Sequence, residues 1–317
     1  MARFFITGGA GFIGSHVVDE CVRHGHDVVV FDNFTTGSRE NLHEVLDRIE
    51  IVKGDIRDEG AVLRAAVGAD FISHHAAVGL VGPTVDDPLY ADAVNIHGFV
   101  NVLQAARKSG VKRVVNASSA AVYGQAEGII RRENMQLMPE SPYAVTKVAG
   151  EYYCRVFYSL YGLETVSLRY FNVYGPRQSN NSHYSSVVPI FVQRVLSGRT
   201  VTIHGDGSQR RDFIFVKDVV RANIMAAASN TLQLGKAYNV GSGTSHTIQE
   251  VFDEVQRVAA RRVDVAYEPR RKGDLDQSEA DLSQARTHFG FEPTVHLNVG
   301  LRELITWHKS RARESVL

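Results

Sequence analysis

The stretch RFFITGGAGFIGSH, residues 3–16, leaves the chain few choices of fold. A short strand-like run ends at Thr7-Gly8-Gly9, and an amphipathic helical pattern from Phe12 to His24 begins as soon as the glycines end. The glycines satisfy the spacing Gly8-x-x-Gly11-x-x-Gly14 and, one register over, Gly9-x-Gly11-x-x-Gly14. Glycine at these places permits a tight strand-to-helix turn and close approach of backbone to a ligand. The helix N-terminus then presents N–H groups with no partner inside the helix, which suits a pyrophosphate. The second strand pattern, HDVVVFD (26–32), closes on Asp32 within the window expected of a dinucleotide site. A carboxylate there hydrogen-bonds the adenosine ribose and repels a 2′-phosphate, so NAD is expected in preference to NADP.

The same alternation continues. RIEIVKGD (48–55), ADFISHHAA (69–77) and VKRVVNASS (111–119) read as further strands, with helical patterns near 58–67 and at 88–109, the latter opened by Asp87-Pro88. Apolar strands fit for burial on both faces, separated by helices, predict an α/β, doubly wound parallel (Rossmann) sheet. After Phe171 the pattern breaks into pieces rich in Gly, Pro, Asn and Ser. We therefore expect a nucleotide-binding domain over 1–171, with a returning segment at about 212–235. A smaller mixed α/β lobe then comprises 172–211 and 236–317, and the site lies in the cleft between.

Composition narrows the partners. With 35 basic and 35 acidic residues among 317, the net charge is zero, so no global field favours nucleic acid. Cys21 and Cys154 sit inside helical patterns and form neither a disulfide framework nor a metal site. No apolar run reaches the length of a membrane span. The chain enters a strand at once, leaving no room for a signal peptide, and a cytoplasmic location is expected.

The chemistry is concentrated in ESPYAVTKVAGEYY (140–153). Ser141-Pro142 reads as a helix start, which puts Tyr143 and Lys147 one turn apart on one face. Ser118 and Ser119 close the fifth strand, at the end of the sheet where doubly wound folds bind ligands. A phenol acting as base near neutrality needs its pKa of about 10 lowered by roughly 3 units, about 4 kcal/mol. One ammonium about 6 Å away supplies about 3 kcal/mol at an effective dielectric near 20. Lys147 alone falls short, and an oxidised nicotinamide ring would add the second positive charge.

The glycine turn, Asp32, ASSAAVYG (117–124) and YAVTK (143–147), in this order, closely resemble the extended short-chain dehydrogenase/reductases, and in particular their nucleotide-sugar 4-epimerases of the UDP-galactose 4-epimerase type. The likeness covers nearly the whole chain, including RYFNVYGPRQ, GDGSQRRDFIFVKDV and PRRKGDLDQSEADLSQA. It implies that Tyr143 takes the proton of the sugar 4-hydroxyl while C4 yields hydride to nicotinamide. Ser119 would hydrogen-bond the same oxygen, and Lys147 would also hold the nicotinamide ribose. The 4-keto sugar would turn over and take the hydride back on its other face. NAD would lie against Gly8, Gly11, Phe12, Ile13 and Gly14, then Asp32, Asn33 and Gly37, Asp55 and Ile56, and Ala76 and Ala77. Asn95, Tyr143, Lys147 and Tyr170 would complete its site. Asp55, at a strand end, could equally cap a helix.

The resemblance also bears on which reaction is run. Related dehydratases carry an Asp-Glu pair after the serine position, and UDP-glucuronate decarboxylases a Glu at its second place; here stand Ala120 and Ala121, which transfer no proton. On the substrate side, Asn172 matches a diphosphate contact, Arg211 and Arg271 the pyrophosphate arginines, and Asp274 a ribose-binding acid. Ser278 falls at the position that sets pocket size. A small residue there implies room for UDP-GlcNAc and UDP-GalNAc beside UDP-Glc and UDP-Gal. UDP-glucuronate 4-epimerases of a related branch read GPRQRPD where this chain has Ser179 in GPRQSNN, which weakens that alternative, although Arg177 or Arg211 could serve a carboxylate. The loop 74–88 departs from its relatives, with Gly82-Pro83 where many have Pro-Arg. Retention of Ser119, Tyr143 and Lys147 weighs against a catalytically silent NAD-sensing scaffold. A homodimer through the helices of Asn95 and Tyr143 is implied by analogy.

Overall fold

The computed structural model describes residues 1–179, 186–270 and 276–314. Seven strands make the main sheet: β1 (Arg3–Thr7), β2 (Asp27–Asp32), β3 (Glu50–Lys53), β4 (Phe71–His74), β5 (Arg113–Ser119), β6 (Glu164–Tyr170) and β7 (Lys236–Val240). Their order is 3-2-1-4-5-6-7, with every neighbouring pair parallel. The order reverses between β1 and β4, so the connections leave this crevice in opposite directions and open it at the carboxyl ends of the two strands.

Alternating side chains bury both faces of the sheet. Phe5, Val29, Phe31, Ile72 and Val114 pack with the helices Glu59–Ala66 and Phe99–Lys108. Phe4, Ile6, Val28, Val30 and Val115 pack on the other side, with Phe12–Arg23 and Val216–Ala228. Each such side chain contributes about 1.5–3 kcal/mol relative to exposure, and a parallel sheet needs that on both faces. Cys21 and Cys154 are free thiols inside these layers.

The helical pattern at 88–109 forms as Pro88–Asp92, a π-helical turn Ala93–Gly98 and Phe99–Lys108, in unbroken succession. The extra residue of the π turn does not show in an apolar periodicity, and it carries Asn95.

The smaller lobe is built on the strand Arg210–Phe215, which pairs with Asn172–Tyr174, Ser245–Thr247 and Gln277–Ala280. The two-residue strand Ile130–Arg131 adds to the far edge of Gln277–Ala280. Its own core gathers Phe191, Phe213, Phe215, Phe252 and Leu304. The boundary differs from the expected one. The returning segment does not stop at residue 235, because β7 is the seventh strand of the main sheet, paired with β6 from Lys236 to Val240. KAYNV is too short and mixed to announce a strand, yet Tyr238 and Val240 bury fully beside β6.

Candidate active site

The glycine turn is stereochemically committed. Gly8 has φ +67°, and a Cβ there would lie 2.5 Å from the Ala76 nitrogen; one on Gly14 would overlap the Gly8 carbonyl oxygen. The turn is tied by Gly8 N to the Phe31 oxygen (2.8 Å) and Gly11 N to the Gly8 oxygen (3.0 Å). Gly11 precedes the helix Phe12–Arg23 with no side chain capping it, so its first-turn N–H groups face the crevice as donors.

A cavity of about 270 Å³ opens above this turn. Eight of the residues expected at the cofactor line it: Gly8, Gly11, Asp32, Asn33, Asp55, Ile56, Ala76 and Ala77. Asp32 is nearly buried and accepts from Ala10 N (2.9 Å) and Phe34 N (2.8 Å). Burial raises its pKa against the pull of those two donors. Each carboxylate oxygen retains capacity for a further hydroxyl. Asp55 is held at about pKa 2, chiefly by the side chain of Arg57, which grips it at 2.8–2.9 Å and lies over the Tyr90 ring. The helix cap is Asp58, whose side chain accepts from Ala61 N, so Asp55 is a cavity residue and not the cap. Among the described residues, the lining holds two carboxylates and neither lysine nor arginine, which suits a ribose diol and opposes a 2′-phosphate.

Of the other residues expected at the cofactor, Phe12 and Ile13 pack into the lobe core. Gly37 abuts Ala10, where a Cβ would come within 3.0 Å of the Ala10 backbone and side chain. Tyr170 donates to Asn223 Oδ1 at 2.9 Å and stacks on His75, which lines the cavity. Asn95, buried, accepts from Val78 N (2.7 Å) and donates to Thr146 Oγ1 (3.1 Å). His75, Val78 and Tyr90 also line the cavity; the sequence flagged the loop 74–88 but not these side chains, because facing a cavity leaves no periodic signal.

The helix Pro142–Tyr161 carries Tyr143, the residue expected to act as acid and base. Ser141 caps it by accepting from Ala144 N, and Pro142 takes the first position, where no N–H is needed. Tyr143, Lys147 and Glu151, spaced four apart, then meet the carboxyl end of β5. Ser119 turns its hydroxyl to the Tyr143 phenol in the sense that favours phenolate. Its oxygen already accepts from Ala121 N at 3.1 Å, leaving its proton free to point at the phenol. Lys147 donates to the Ala117 oxygen at 2.7 Å, and Ser118 donates to Glu151 Oε1 at 2.5 Å. Glu151 is paired with Arg169 in two bonds of 2.9 and 2.7 Å, both side chains being buried.

Burial raises the Tyr143 pKa and outweighs the opposing pull of Ser119, so the phenol stays protonated in the chain by itself. Lys147 is itself lowered to about 8 by burial, with Glu151 acting in the opposite sense. Its charge reaches the crevice: after burial, it is what lowers His74, and it helps bring His75 to about 3. Ionising Tyr143 therefore calls for more positive charge than one lysine provides.

In the smaller lobe, Arg211 and Ser278 are register partners on adjacent strands. Asn172, on the strand paired with Arg210–Phe215, donates to the Asp212 oxygen at 3.0 Å. Ser278 is buried. Arg271 and Asp274 lie outside the described residues.

Residues 4–241 match the model of a family described as the NAD dependent epimerase/dehydratase family. The chain belongs to that family. A UDP-glucose 4-epimerase of Mycolicibacterium smegmatis is 38% identical over 98% of this chain and 100% of its own. Among solved structures, a Thermus thermophilus UDP-glucose 4-epimerase in complex with NAD is 39% identical with a TM-score of 0.88, covering 97% of this chain and 99% of that one. A UDP-N-acetylglucosamine 4-epimerase from Methanobrevibacter ruminantium, in complex with UDP-N-acetylmuramic acid, is 36% identical with a TM-score of 0.94 over 98% and 99%. The glycine turn, the cavity and Asp32 fit the NAD of this epimerase/dehydratase family on their own geometry.

Proposed function

We infer that the chain is an NAD-dependent epimerase that inverts C4 of a UDP-hexose. The observation that carries this is the set Ser119, Tyr143 and Lys147 assembled at the end of β5, followed at once by Ala120 and Ala121. Tyr143 can take and return one proton at a sugar oxygen, Ser119 can hold that oxygen, and Lys147 keeps positive charge beside the ring at 5.6 Å. Bound NAD supplies a hydride acceptor that gives the hydride back, so no net oxidation results. Two methyl groups occupy the places from which a dehydratase or decarboxylase would deliver a second proton, and epimerisation is the reaction that needs none.

The following points extend the proposal. Asn172 and Arg211 are assigned to the diphosphate, and the resemblance adds Arg271 for the pyrophosphate and Asp274 for the ribose. Ser278, a small side chain at Arg211's register, supports a pocket that admits N-acetylhexoses as well as plain hexoses, in keeping with relatives of both kinds. A homodimer is supported by the apolar side of the Tyr143 helix, where Tyr152, Val156 and Leu160 are exposed at helical spacing, and by Leu89 nearby in sequence to Asn95. No helix of the described residues is long and apolar enough to cross a membrane. Two free, buried thiols suit a reducing compartment, and we assign the enzyme to the cytoplasm.

The test is purified protein incubated with UDP-Glc, UDP-GlcNAc and UDP-GlcA without added reductant, the products being read by NMR. Interconversion of C4 epimers without accumulation of NADH is expected. Loss of water or CO₂ would overturn the assignment.

A further inference from the structure

The divergent loop after β4 does more than close the cavity. Its Gly82-Pro83-Thr84 stretch lies in a short helix, Val81–Asp86, packed against the start of the Tyr143 helix. Thr84 is fully buried, and its hydroxyl is used twice: it donates to the Val81 oxygen at 2.6 Å and accepts from Tyr143 N at 3.1 Å. A first-turn N–H has no acceptor within its own helix. Ser141 serves Ala144, so Tyr143 takes its acceptor from another segment of the chain.

The carbonyl of Tyr143 is held from the other side. Thr146 Oγ1 donates to it at 2.8 Å and itself accepts from Asn95 Nδ2, while Asn95 Oδ1 accepts from Val78 N. Val78 and Pro83 are both walls of the nucleotide cavity. Both backbone polar groups of one residue thus lead to the same loop, directly at Thr84 and through two side chains at Val78.

We propose that Thr84 is a positioning residue, fixing the backbone of Tyr143 to the loop that walls the nucleotide cavity. The place of the phenol is then set by the segment that seats the cofactor. This rests on Tyr143 being the acid–base group of the function inferred above. A hydroxyl that merely capped a helix would affect stability and leave turnover per folded molecule unchanged.

Thr84→Val keeps the shape and removes the hydroxyl; Thr84→Ser keeps the hydroxyl. For each, bound NAD, kcat and KM for UDP-glucose, and amide hydrogen exchange at Tyr143 are measured. Thr84→Val is expected to retain NAD and a KM within threefold, to lose ten- to a hundredfold in kcat, and to exchange the Tyr143 amide at least tenfold faster. Thr84→Ser is expected to keep kcat within threefold of the parent. Should Thr84→Val not fold, Thr84→Ala takes its place against the same serine variant. Unchanged kcat in the valine variant, or equal losses in valine and serine variants, overturns the inference while the function stands. A parent enzyme that epimerises no UDP-sugar removes both.

Discussion

The Lys147 ammonium lies 5.6 Å from the centre of the Tyr143 ring and donates to the Ala117 carbonyl at 2.7 Å, so one lysine both charges the neighbourhood of the phenol and pins its helix to β5. Burial nevertheless keeps that phenol above its ordinary pKa. The phenol therefore keeps its proton at neutral pH in the chain by itself.

Removing the hydroxyl alone tests this. Tyr143→Phe keeps the ring and the helix cap, so NAD should remain bound. Loss of a general acid–base group costs about 10²–10⁴ in rate. Turnover of UDP-glucose measured by product NMR should fall by that much, and a variant within tenfold of the parent would show that the proton moves elsewhere.

The lysine has a pH signature in the NAD-free protein. Its folded pKa of about 8 lies below the value of about 10.4 in an unfolded chain. Between these values the unfolded chain holds more protons, so stability rises with pH across that window; below pH 8 both states are charged and the burial cost is present in full. Relative to Lys147→Met, the parent should gain about 2 kcal/mol between pH 7 and pH 9.5. Urea unfolding at the two pH values measures the difference, and a parallel response of the two proteins would contradict it.

The glycine turn should tolerate nothing larger. In Gly14→Ala the new methyl meets the Gly8 carbonyl, a backbone atom that cannot step aside without moving the turn. Overpacking of this kind costs about 1–3 kcal/mol or more. We expect a lower urea midpoint together with loss of co-purified NAD, and a variant that retains NAD at parental stability would show that the turn has slack.

Ser278 should govern which sugars enter. Ser278→Tyr adds a ring beside Arg211 on the neighbouring strand. Turnover of UDP-GlcNAc should drop at least tenfold relative to UDP-Glc in paired assays. Equal effects on both sugars would place the N-acetyl group elsewhere.

Much of this was legible along the chain because it depends on local stereochemistry and spacing. At Gly8 a φ of +67° combines with a backbone approach that leaves no room for a Cβ, and the two together require glycine. Ser141-Pro142 begins a helix for reasons confined to its first turn, and four-residue spacing puts Tyr143 and Lys147 together in any α-helix. Glu151 could have been read in the same way, one turn beyond Lys147.

Other features belong to the tertiary structure alone. KAYNV becomes a central-sheet strand only because β6 offers it an edge, and the π turn of Asn95 does not disturb the apolar pattern around it. The grip of Thr84 on Tyr143 joins residues 59 positions apart, and no local pattern encodes such a contact. Residue order along the chain thus determined the fold class, the glycine turn and the pairing of Tyr143 with Lys147, through backbone geometry and periodicity. Packing decided the protonation balance at Tyr143, because desolvation depends on how much of the folded protein surrounds a group.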